Sequence, residues 1–155
     1  MHWARTGRAA FLAAVVFWFS GIATAAAEPG YWRCSAGMWT AVGEPQTPAP
    51  SRICGVETVI PTDRTNCERA GGTWGPAGIF PKPICRVPTS DGGRACTDDG
   101  ECEGRCLATL TPGQRTEVQN GGRIEILGAC TPVTAVFGCM AIVEKGWVAR
   151  ILCAD

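Results

Sequence analysis

Cys96-Thr97-Asp98-Asp99-Gly100-Glu101-Cys102-Glu103-Gly104-Arg105-Cys106 is the stretch from which the fold of this chain is read. Its three cysteines follow the spacing C-x5-C-x3-C, among four acids and two glycines. Cysteines this close cannot all pair with one another without strain, so their partners should alternate. The expected pairs are Cys96 with Cys106, and Cys102 with the distant Cys130. Asp98, Asp99, Glu101 and Glu103 raise the question of calcium, which takes several carboxylate oxygens. The order D-x-[DN]-x-[DN]-G of a calcium-binding EF-hand is not met, so a solvated acidic loop without a metal is expected.

Outside that block lie seven more cysteines, Cys34, Cys54, Cys67, Cys85, Cys130, Cys139 and Cys153, for a total of 10 in 155 residues. An even count at this density reads as five disulfides in an oxidising compartment. The zinc alternative is weak: the sequence has no C-x-x-C, and its one histidine is His2.

The N-terminal segment explains that compartment. Arg5 and Arg8 precede an apolar run from Ala9 to Ile22, and Ala23-Thr24-Ala25-Ala26-Ala27 follows. A positive start, a short apolar centre and an A-x-A end are the parts of a secretory signal peptide, here residues 1–27, with Ala25 the alternative cut. An uncleaved anchor over Ala9 to Ala27 is the competing reading. Arg5 and Arg8 are not adjacent, which argues against a twin-arginine signal. No other stretch approaches 18 apolar residues, so no membrane contact is expected after cleavage. Removing 27 residues from 155 leaves 128; losing Arg5 and Arg8 from 14 basic side chains leaves 12 against 14 acids, net −2. That balance lacks the basic field needed for non-specific nucleic-acid binding.

Loss of His2 with the leader also removes Ser-His-Asp and Cys-His chemistry. Lysines are limited to Lys82 and Lys145, and mature serines to Ser35, Ser51 and Ser90. The clustered acids Asp91, Asp98, Asp99 and Glu101 are the only candidates for acid–base work. No catalytic, cofactor-binding or metal residue is therefore expected.

The remaining chain reads as short β elements. Glu28 to Pro50 is irregular and proline-rich at its end, and Arg52 to Ile60 is β-branched and expected as a strand. Thr62 to Ala70 is expected as the only helix, capped by Thr62 or Asp63 and stopped by Gly71-Gly72, with Cys67 stapling it to a neighbouring strand. Cys34…Gly37-Met38-Trp39…Gly43…Pro45…Cys54 and Cys67…Gly72-Thr73-Trp74…Gly78…Pro81…Cys85 share one order of residues. Duplication and coincidence both account for it, and both tryptophans are expected in the core. Gly78 to Ile84 is a proline-stiffened loop, read either as a connection or as a docking loop.

Two hairpins are expected near the C-terminus. The first joins Thr116–Gln119 to Arg123–Leu127 through Asn120-Gly121-Gly122. The second joins Ala135–Val143 to Trp147–Cys153 through Glu144-Lys145-Gly146; its apolar arms (Phe137, Met140, Ile142, Val143, Val148, Ile151, Leu152) should supply the core. A three-residue turn centred on Gly146 would set Cys139 opposite Cys153, whereas a two-residue turn would miss by one. The fold class is thus small and disulfide-rich, mostly β with one short helix and stapled hairpins, in one domain of residues 28–155. Within it, residues 28–66 form an irregular N-terminal part and 67–155 a cysteine-rich core.

Cys67-x3-Gly71-Gly72-Thr73-Trp74-Gly75, Cys85-x2-Pro88-Thr89-Ser90-Asp91-Gly92-Gly93, the C-x5-C-x3-C block, Gly128-Ala129-Cys130, Gly138-Cys139 and the Cys153-Ala154-Asp155 end together resemble a group of uncharacterised bacterial secreted cysteine-rich proteins. That resemblance implies export and disulfides, and no activity. The Cys96 to Cys106 block alone is similar to knottin and other inhibitor-like modules, although the paired cysteines of whey-acidic-type inhibitors are absent. The expected role is a non-catalytic binding module, periplasmic or secreted, whose partner is a protein or envelope component. A carboxylate-dependent hydrolase and a purely structural envelope protein are the alternatives.

Overall fold

Strands of two to five residues build the central sheet, in the order β11-β9-β6-β8-β5 with every neighbouring pair antiparallel. The computed structural model describes residues 27–154, so the expected signal segment lies outside the described residues but for Ala27. The sheet comprises β5 (Ala95–Cys96), β6 (Cys106–Ala108), β8 (Gly128–Cys130), β9 (Gly138–Ile142) and β11 (Ile151–Ala154). Two-stranded ladders surround it: β1 (Tyr31–Ser35) with β2 (Met38–Val42), β3 (Thr73–Ala77) with β4 (Phe80–Arg86), and β7 (Ile124–Glu125) with β10 (Trp147–Val148). The fold is mostly β with helices α1 (Arg64–Arg69) and α2 (Pro112–Gln119), one helix more than expected.

The ten cysteines form five disulfides: Cys34–Cys54, Cys67–Cys85, Cys96–Cys106, Cys102–Cys130 and Cys139–Cys153. Half-cystines take the place that large aliphatics would fill in a longer chain. The buried cluster consists of Cys96, Cys102, Cys106 and Cys130 with Leu110, Val118, Ala141, Val143 and Val148. Gly128 is obligatory there, because a Cβ would stand 2.6 Å from Cys106 Sγ and 2.9 Å from a Val143 methyl.

Helix α1 begins where its sequence signals. The Asp63 side chain accepts from the Asn66 backbone N–H, and Gly71 leaves the helix at φ 73°. A Cβ at Gly72 would lie 2.8–2.9 Å from the sulfurs of Cys85 and Cys67, so glycine also admits this disulfide. Helix α1 and the β3–β4 hairpin pack chiefly on each other and form a small lobe. Between the paired positions Gly75↔Ile84 and Ala77↔Phe80 the ladder slips, setting Pro81-Lys82-Pro83 against Pro76. Prolines donate no ladder hydrogen bond, so they collect where the ladder is interrupted. The expected 78–84 loop is thus the tip and one arm of a hairpin.

Several expectations are corrected. Glu28–Pro50 is not irregular throughout, since β1 and β2 pair over five positions through an Ala36-Gly37 turn with both φ angles positive. Arg52–Ile60 is not a strand. β-Branched composition needs a partner ladder, and this segment runs beside the irregular turn at 99–105, which offers carbonyls to side chains: Arg52 donates to Cys102 O, and Thr58 Oγ1 to Glu103 O at 3.1 Å. Ile53, Val56, Val59 and Ile60 consequently stay exposed.

The first expected hairpin is a helix followed by a strand. Thr111 Oγ1 accepts from Gln114 N while Gln114 Oε1 accepts from Thr111 N, and Pro112 holds the first helical turn. Asn120 and Gly121, the latter at φ 87°, end α2 instead of turning a hairpin. The arm beyond, β7, pairs with β10. At the second hairpin Glu144 faces Trp147 across a two-residue Lys145-Gly146 turn, yet Cys139 faces Cys153 further along. One extra residue between β10 and β11 reconciles the two registers that the sequence left open. Ile142, Val143 and Val148 are buried as expected, whereas Phe137, Met140 and Ile151 are half-buried and Leu152 is exposed.

The two tryptophan units differ in design. Trp39 lies opposite Cys34 in the first, and Trp74 opposite Cys85 in the second. The leading half-cystine is on a strand in one and on a helix in the other.

Candidate functional site

The acidic block folds into a short 3-10 turn, Asp99–Glu101, and almost every carboxylate in it is an internal acceptor. Asp98 caps the turn by accepting from Gly100 N at 2.9 Å, and its other oxygen accepts from Lys145 N at 2.9 Å. Asp99 accepts from Cys106 N at 3.0 Å and pairs with Arg105 at 2.5 Å. Glu103 accepts from both the backbone and the hydroxyl of Ser90. Those bonds, the hydroxyl's first, hold the Glu103 carboxyl below its ordinary value of 4.5.

Glu101 corrects the expectation of a solvated loop most sharply, because its side chain is fully enclosed. Thr97 Oγ1 donates to its Oε1 at 2.6 Å, and Trp32 N of β1 donates to the same oxygen at 3.3 Å. Arg94, four-fifths buried, stands 3.9 Å from Oε2 and 3.5 Å from Asp91. A buried carboxylate is tolerated when a cation and donors compensate it; here the donors serve Oε1, while Oε2 holds no hydrogen bond and has only the Arg94 charge beside it. Arg94 also donates to Glu101 O at 2.6 Å, and Asp91 accepts from Glu103 N at 3.0 Å. Glu101 thus joins the N-terminal hairpin to the disulfide core, with Arg94 and Asp91 behind it. Sequence reading missed Arg94; its position inside the acidic stretch was the available signal.

Asp98 and Asp99 do border an open groove of about 530 Å³, which also takes in Glu28, Arg123, Glu144 and Trp147. Here the first residues after the expected cut are seated. Glu28 accepts from Arg123 at 3.0 Å and from Trp147 Nε1 at 3.1 Å, while the Arg123 guanidinium lies 4.2 Å from the indole centroid. Pro29 packs on Gly146, whose Cβ would meet it at 2.6 Å.

A smaller apolar hollow of about 300 Å³ lies at the base of the helix–hairpin lobe, between Pro61, Trp74, Pro83 and Ile84. Ile79 at the hairpin turn is 83% exposed. Among the described residues, the groups of three that converge as metal ligands are Cys96/Cys102/Cys106 and Asp91/Cys102/Cys130, and all their sulfurs are in disulfides. No helix among the described residues is long and apolar enough to cross a membrane. No family model, curated protein or solved structure matches the chain.

Proposed function

We propose that this chain is an exported, disulfide-stabilised, non-catalytic binding module acting in the periplasm or outside the cell. The helix–hairpin lobe carries the reading: the Cys67–Cys85 bridge ties helix α1 to the base of the β3–β4 hairpin, whose turn presents Ile79 to solvent. A hairpin anchored at its base by a disulfide and carrying prolines in one arm loses little conformational freedom on docking. Its partner is a protein or other envelope component offering an apolar recess. Five disulfides support an oxidising compartment, as do the leader pattern over residues 1–27 and the resemblance to secreted bacterial cysteine-rich proteins.

A carboxylate hydrolase needs an acid and a base free to meet a substrate. Asp98 and Asp99 border a groove and favour that second reading, but their oxygens already hold fixed donors, and Glu101 is enclosed. A photo-crosslinking residue replacing Ile79 in the full exported chain tests the binding reading, with Thr116 on α2 as the control position. A discrete adduct at position 79 alone is the expected result; none, or equal labelling at both, overturns it. N-terminal sequencing of the same material should begin at or near Glu28, and intact Met1 in the membrane fraction would overturn cleavage and establish an anchor.

A further inference from the structure

The five disulfides are not equally enclosed. Cys67, Cys85, Cys96, Cys102, Cys106 and Cys130 are at most 2% exposed, and the Cys34–Cys54 bond is open on one side only, Cys34 being exposed and Cys54 buried at 6%. Cys139 and Cys153 are both exposed. They face each other across the β9–β11 ladder, and β11 is the edge of the five-stranded sheet. Of the β11 residues only Ile151 packs against the core, while Leu152, Cys153 and Ala154 are exposed. Little besides this bond and a short ladder holds the strand.

We infer that Cys139–Cys153 is a thiol–disulfide exchange site open to an external dithiol, and that its reduction releases β11. Exchange proceeds by attack of a thiolate on a disulfide sulfur, so access to that sulfur governs which bond reacts. One thiolate of the dithiol attacks Cys139 or Cys153, the S–S bond breaks, and its electron pair leaves on the other half-cystine, which takes a proton from water. The second thiol of the reagent attacks the mixed disulfide and closes its own ring. The protein gains two electrons and two protons as a pair of thiols, and the dithiol becomes a disulfide. The freed strand leaves β9 as the sheet edge, with its outer N–H and C=O groups unpaired. This inference does not depend on the binding role or on the compartment.

Graded dithiothreitol on the oxidised full chain, quenched by alkylation and mapped by peptide mass, tests it. Cys139 and Cys153 should be alkylated at least tenfold faster than any other pair. Opening of Cys34–Cys54 first, or of all five bonds together, overturns the inference. Hydrogen exchange on the singly reduced chain and on a C139S/C153S variant should show protection lost at residues 151–154 and kept in β6 and β8. Undiminished protection at 151–154 in either species overturns the release of β11.

Discussion

The helix–hairpin lobe and the sheet core use the same device to different ends. In each, a glycine is pressed against half-cystine sulfur: Gly72 against Cys67–Cys85, Gly128 against Cys106. The lobe closes one bond over a separation of 18 residues and buries little else beyond Ala77. In the core, Cys96–Cys106 and Cys102–Cys130 overlap in sequence, and around them pack Val143, Val148 and the enclosed Glu101. One isolated bridge makes a locally closed unit; two overlapping bridges make a centre that distant segments share. Residues 87–93 run beside 130–134 and join the two, through Thr89 N to Pro132 O and Gly93 N to Cys130 O.

Removing bridges breaks this comparison most directly. A C96S/C106S variant should lose 2–5 kcal/mol, roughly the usual cost of a native disulfide in a small domain, and the whole sheet should lose hydrogen-exchange protection. A C67S/C85S variant should lose protection in α1 and the β3–β4 hairpin while β6, β8 and β9 keep theirs. Equal loss of sheet protection in both variants would mean that the lobe and the core are one cooperative unit.

The polar centre sharpens the contrast, for it exists only on the core side. Glu101→Ala leaves Arg94 without its enclosed partner and takes the acceptor from Trp32 N and Thr97. The expected loss is about 3 kcal/mol by chemical denaturation, low in the range for a broken buried pair because Arg94 keeps Asp91 and is a fifth exposed. Exchange at the Trp32 amide should speed up while α1 stays unchanged. A loss confined to the helix–hairpin lobe would refute the role given to Glu101.

These two regions were also unequally legible in the sequence. Helix α1 could be read because its cap and glycine stop are local and physically necessary, whereas the close cysteines near 96–106 implied alternating partners without fixing which cysteine each takes. Helix α2 departs from the expected hairpin, although Thr111-Pro112-Gly113-Gln114 spells a capping box, because Asn120-Gly121 serves a helix stop and a hairpin turn equally well. The β-branched 52–60 segment promised a strand that no neighbouring ladder completes. Burial of Glu101 could not be read at all: a carboxylate's enclosure depends on which cation and amides the fold brings to it, here Arg94 of the 87–94 connection and Trp32 of a distant hairpin.

Acid offers the gentlest probe, because each region holds one carboxyl below its ordinary value. Asp63 caps α1 and is lowered chiefly by the Asn66 backbone N–H, from 3.8. Glu103 sits where the connecting segment meets the core and is lowered chiefly by the Ser90 hydroxyl, from 4.5. A carboxyl with a depressed folded-state value stabilises the fold fully above its unfolded value, and that contribution fades as pH falls through the folded one. Stability should therefore be flat in this respect above pH 4.5 and decline below it. Replacing Ser90 by Ala removes the larger of Glu103's two bonds, so the acid decline should become shallower, by less than about 1 kcal/mol for so solvent-screened a group. Carboxyl NMR titration separates the two sites: Glu103 should move toward 4.5 in the S90A variant while Asp63 stays where it was. Were Asp63 to shift as well, the lobe and the connection would be coupled more tightly than their separate hydrogen bonds imply.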